Sequence, residues 1–151
     1  MHSVARRFIW TAFGFLIVGL LLGVHALVQR EVSGAWPGLY LVSAHTHALL
    51  VGFMMFMILG VALWLFPRPA REDTRYRPAQ VEAVYWVLTL GTAGRIVGEV
   101  ARDAGGSGWL RWVILCCGLG QVVGLALFIW AIRARIRAVG SQAREARGER
   151  F

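Results

Sequence analysis

Apolar residues dominate four unbroken stretches of the chain, residues 8–28, 39–66, 81–100 and 109–132, separated by short polar pieces rich in Arg, Gly and Pro. Each stretch supplies the roughly 20 residues that cross a bilayer core as helix. The runs are continuous rather than alternating, and lipid admits only helices or closed barrels, so strands are disfavoured. The pattern predicts an all-α protein, an integral membrane four-helix bundle with helices at about 5–29, 41–66, 79–103 and 109–138. These form one domain, residues 1–140, followed by a frayed basic tail over 141–151. The first run is about 21 residues long, beyond the ~7–15 of a signal-peptide core. Gln29-Arg30-Glu31 after it is no small-residue cleavage site, so a retained helix is expected.

Turn chemistry supports the boundaries. Gly34, Pro37 and Gly38 separate the first two helices, Pro67-Arg68-Pro69 stops the second, and Gly105-Gly106-Ser107-Gly108 separates the last two. Ser43 is a possible cap for the second helix, although the apolar Leu39-Tyr40-Leu41-Val42 suggests an earlier start.

Composition sharpens this picture. Of 151 residues 58% are hydrophobic and 16% charged, and the net charge is +8. All 16 basic residues are Arg. Twelve of them (Arg6, Arg7, Arg68, Arg71, Arg75, Arg77, Arg133, Arg135, Arg137, Arg144, Arg147, Arg150) fall on one side of the predicted bundle. Only Arg30, Arg102 and Arg111 lie on the other. The positive-inside rule then predicts N-in/C-in topology, with both termini cytoplasmic. The basic tail reads as a topology signal and a lipid headgroup contact. No nucleic-acid-binding fold is present to use the charge, so nucleic acid is not an expected partner.

Gly recurs at four-residue spacing in Gly19/Gly23, Gly94/Gly98 and Gly120/Gly124. Such small-residue pairs let helices approach closely in lipid, or leave room for a flat cofactor. Cys116 and Cys117 are adjacent, about 100° apart on a helix, and read as small packing residues rather than metal ligands.

The candidate chemistry lies at one depth. His25 sits near the outer end of the first helix, and His45 and His47 in the first turns of the second. Arg95 and Glu99 sit near the outer end of the third. Antiparallel neighbours bring all five to one level, and ionisable groups inside a membrane are functional candidates. Arg95 and Glu99, four residues apart, can also neutralise each other. His45 and His47 are two residues apart, about 200° round a helix with about 3 Å of rise, so they face nearly opposite ways. One small ion cannot be chelated by both. The spacing suits two ligands serving different centres, or one ligand and one hydrogen-bonding partner. Haem is the apolar, flat cofactor such an imidazole would serve, with His25, His45 and His47 as candidate axial ligands and Arg95 as a propionate partner. Phe53, Met54, Met55, Phe56 and Met57 would line it, pack, or face lipid. A Cu or Zn site on His25, His47 and Glu99 is the competing metal reading.

His45-Thr46-His47-Ala48-Leu49-Leu50-Val51-Gly52-Phe53, with Ile58-Leu59-Gly60 and Trp64-Leu65-Phe66-Pro67-Arg68, resembles the haem-copper oxidase superfamily. The likeness is to subunit I of cbb3-type cytochrome c oxidases and to the catalytic subunit of nitric oxide reductases. The first helix, with Gly19-Leu20-Leu21-Leu22-Gly23, also resembles the helix preceding that motif. One alignment implies that His45 ligates a low-spin haem b. A second, to a later His-x-His helix of the family, implies that His45 and His47 ligate two different haems. His2, at the far end by this topology, is the one further His, so the resemblance does not extend to a complete haem-copper dinuclear centre or a defined enzymatic reaction.

The expectation is a small multi-pass b-type cytochrome of the bacterial inner (plasma) membrane, with one or two haem b per chain or homodimer. Electron transfer is preferred over NO or O₂ binding. Its partners would be lipid, a second copy, and a respiratory complex or electron donor. The alternatives are a non-catalytic accessory or assembly subunit of a respiratory oxidase or reductase, and a Cu/Zn-handling membrane protein.

Overall fold

The computed structural model describes residues 3–66 and 78–133, together with residues 136 and 148. The described chain is all helical. Helix α1 is Ser3–Ser33. Helix α2 is the continuous span Leu39–Leu65. Helix α3 is Pro78–Asp103 and α4 is Leu110–Ile132. His2, the Arg-rich stretch 67–77 and the tail arginines beyond Arg133 lie outside the described residues, as do the expected extension of the last helix to 138 and the tail reading.

Three of the four helices, Val4–Ser33, Leu39–Leu65 and Leu110–Ile132, are long and apolar enough to cross a membrane. The fourth expected span, α3, is the less apolar one. Helix α3 carries Glu82, Arg95 and Glu99 within its length, which lowers its apolar character. Its polar groups turn inward instead, with Thr92 and Glu99 buried. Helix α3 packs between α2 and α4.

Local chemistry sets the ends. Gly34 follows α1 with φ +66, and Gly105 follows α3 with φ +87, the left-handed cap that glycine adopts without penalty. The Gly106 amide then reaches back to the Ala101 carbonyl at 2.9 Å. Helix α2 begins at Leu39, so Ser43 lies inside the helix and does not cap it. Gly38 stands at the cap position without a side-chain bond, and Asp103 from α3 takes the Leu41 amide instead at 3.3 Å.

Helix α2 contains a wide turn. Leu39–His47 and Phe56–Leu65 are α-helical, but Ala48–Met55 is π-helical. Ala44, Ala48, Gly52 and Phe56 are all buried, at a constant spacing of four. On an ideal α-helix that spacing drifts about 40° per step, about 120° in all. The i→i+5 bonding absorbs the drift and keeps these residues on one face. Small residues there let α1 close in: a Cβ on Gly52 would lie 2.5 Å from the Phe15 ring.

The helices of the expected four-helix set pack as a sequential row. Helix α4 packs on α3, and no comparable contact joins it to α1 or α2 among the described residues. At one end α1 meets α3 directly. Arg7 Nη1 donates to Glu82 Oε1 at 2.7 Å, and Thr11 Oγ1 lies 2.8 Å from Tyr85 Oη. Phe8 stacks against Phe56 at 5.4 Å and edge-on to Tyr85 at 5.2 Å. At the other end α2 stands between α1 and α3, and the candidate polar residues are there.

Candidate functional site

His45 faces α1. A carbonyl oxygen only accepts, so Nδ1–H donates to the Gly19 carbonyl at 2.9 Å. The ring lies across Gly23, where a Cβ would stand 2.8 Å from Cε1. A Cβ on Gly19 would meet Leu49 at 2.4 Å. The Gly19/Gly23 pair is therefore a packing notch filled by Leu49 and His45 from the same chain. Gly94 and Gly98 do likewise for Cys117 and Ile114 of α4, and Gly124 for Leu88, whereas Gly120 faces open space.

His47 faces α3. Its Nδ1–H donates to the Ser43 carbonyl one turn back at 2.8 Å, with the Ser43 hydroxyl 3.3 Å away. Glu99 Oε2 stands 3.9 Å from the same nitrogen. The opposite-face geometry follows from the two-residue spacing, since Leu39–His47 is regular α-helix.

Behind His47 runs a polar chain through three helices. Ser43 Oγ donates to Glu99 Oε1 at 2.8 Å, and Arg95 Nε donates to the same oxygen at 3.0 Å. Arg95 Nη1 donates to Gln121 Oε1 at 3.3 Å, and Gln121 Nε2 donates to Thr92 Oγ1 at 3.2 Å. Glu99 is 2% exposed, and Thr92 and Gln121 are buried too. A Cβ on Gly118 would lie 3.1 Å from Arg95 Nη1, so glycine gives the guanidinium its place. Sequence reasoning brought Arg95 and Glu99 to this level but missed Ser43, Thr92 and Gln121 as members. Gln121 carried a usable signal: it is the one amide within an otherwise apolar span, and such groups turn inward.

His25 is not brought to the others. Gly23 faces His45, and His25 is two residues on, about 200° round α1. It is exposed on the outer face of that helix. Among the described residues no three His, Cys, Asp or Glu side chains come together to hold a metal ion, so His25, His47 and Glu99 form no such group. The Arg95 guanidinium is engaged by Glu99 and Gln121.

The donor chemistry of the two inner imidazoles is nonetheless specific. In each, a main-chain carbonyl holds the proton on Nδ1 and leaves the lone pair on Nε2. That is the orientation a metal-ligating imidazole takes when a carbonyl fixes its tautomer. Neither Nε2 makes a hydrogen bond to the described residues. Each ring thus keeps one nitrogen available as an acceptor or metal donor, one on each side of α2.

Residues 3–144 match the family described as Cytochrome C and Quinol oxidase polypeptide I. No curated protein and no solved structure matches the chain. The family match spans nearly all of the sequence and includes the His45-Thr46-His47 motif and every helix described above, so this multi-pass membrane chain belongs to the haem-copper oxidase subunit I family.

Proposed function

We propose that the protein is a membrane b-type cytochrome that carries electrons, with His45 or His47 supplying an axial nitrogen to haem b near one face of the membrane. The observation that carries this reading is the pair of carbonyl-held Nδ1 atoms, which leaves the Nε2 lone pair of each ring available. A neutral imidazole whose proton is held on Nδ1 offers Nε2 to a metal. Haem b, when bound, supplies an iron that alternates between ferric and ferrous. The protein's part is to fix ring orientation through the Gly19 and Ser43 carbonyls. Because His25 faces outward, a second nitrogen for the haem would come from a second copy of the chain, or its place would be left to a gas such as NO or O₂. The arginine distribution supports cytoplasmic termini in a bacterial inner membrane.

Absorption spectra of the detergent-purified protein, oxidised, reduced and CO-treated, test this. A Soret band with sharp reduced α-bands is expected, and His45→Ala should remove or convert the low-spin spectrum. A protein that stays colourless when haemin is supplied ends the reading.

The second reading is a non-catalytic accessory or assembly subunit of a respiratory oxidase or reductase. It draws on the Gly19/Gly23 notch, where His45 and Leu49 complete a helix seam without any cofactor. A colourless protein that copurifies with a respiratory complex would favour it.

A further inference from the structure

Glu99 is a buried carboxylate with one satisfied oxygen. Oε1 receives both Arg95 Nε and Ser43 Oγ. Oε2 is buried and receives nothing, one of two such side-chain atoms among the described residues. A buried carboxylate oxygen without a donor calls for one. The N–H group facing it is Nδ1 of His47, 3.9 Å away and already donating to the Ser43 carbonyl at 2.8 Å. Two acceptors therefore compete for one proton: a neutral carbonyl of the imidazole's own helix and a charged carboxylate of α3. Arg95, Gln121 and Thr92 brace that carboxylate from α3 and α4. His45, on the other face, has only a neutral carbonyl.

We propose that Glu99 is a positioning residue for His47: its Oε2 is the alternative acceptor of the Nδ1 proton and sets the electron-donating strength of Nε2. A charged acceptor draws the Nδ1 proton more strongly than a neutral one. The ring nitrogen opposite then becomes the better donor to any metal it meets. The two imidazoles of α2 are thereby made unequal, His47 beside a carboxylate and His45 beside an amide carbonyl. The effect on iron rests on the haem reading above; the hydrogen bond itself does not.

The test has two arms. In the haem-free protein labelled with ¹⁵N-histidine, Glu99→Gln should shift the Nδ1 resonance of His47 and leave that of His45 in place. Glu99→Asp should return part of the shift, because it restores the charge. An unchanged His47 signal in a folded Glu99→Gln protein overturns the proposal. If Glu99→Gln does not fold, Glu99→Asp, which keeps the charge but draws the carboxylate back from the ring, should itself move the His47 signal part of the way and not that of His45; no movement overturns it equally. In the haem-loaded protein, Glu99→Gln should raise the midpoint potential of the His47-ligated iron. A resonance shift without any haem uptake keeps the positioning role and removes only the cofactor reading.

Discussion

At the scale of single residues, Glu99 is the one charged side chain that is buried among the described residues. Its Oε1 neutralises Arg95 and accepts from Ser43 while the residue itself is sealed from solvent. Glu99→Ala would strand a guanidinium and a hydroxyl inside the helix row. Breaking a buried pair by removing one partner is destabilising by about 3–5 kcal/mol. Thermal unfolding in detergent should show a clear drop in midpoint for Glu99→Ala and a smaller one for Glu99→Gln; equal midpoints in all three proteins would contradict the buried network. Much at this scale was legible beforehand. The opposite facing of His45 and His47 is helix arithmetic, and the shared level of Arg95 and Glu99 follows from antiparallel packing. The same arithmetic applied to Gly23 and His25 turns His25 away from His45, once Gly23 is known to face α2. That last fact is tertiary, and spacing alone does not supply it.

At the scale of elements, the wide turn Ala48–Met55 governs how the imidazole end of α2 is phased against its aromatic end. Its sequence, ALLVGFMM, is uniformly apolar, so no side-chain pattern betrays the change from i→i+4 to i→i+5 bonding. Its trace is indirect: small residues at four-residue steps that an α-helix would fan out. Deleting outward-facing Leu50 should convert part of this segment to α-helix and rotate His45 and His47 by about 100° relative to Phe56. Circular dichroism should stay helical while the expected haem spectrum is lost. Leu50→Ala, which changes no spacing, should keep that spectrum. A deletion variant with unchanged spectrum would mean that the wide turn does not set the phase of the rings.

On the scale of the molecule, the row α1–α2–α3–α4 leaves large apolar faces outward, Leu20, Leu21 and Val24 on α1 and Leu119, Val122 and Val123 on α4 among them. In a membrane lipid covers such faces, so outward apolar side chains are not a sign of poor packing. Four helices and their order could be read from hydropathy, but the row could not. A closed bundle and a row demand the same runs of apolar residues when lipid replaces water as the neighbour. Sidedness can be checked directly. In a background lacking Cys116 and Cys117, Ser107→Cys should react with a membrane-impermeant maleimide applied to intact spheroplasts, and a cysteine placed in the 67–77 loop should react only after lysis. The reverse pattern would invert the proposed orientation.

Arg95 and Glu99 lie on one helix, four residues apart. Their charges can cancel as soon as that single turn has wound, before any other segment arrives. On the proposed topology the least greasy of the four helices meets the bilayer already discharged, and Gln121, synthesised later, completes the guanidinium's hydrogen bonds rather than rescuing a bare cation.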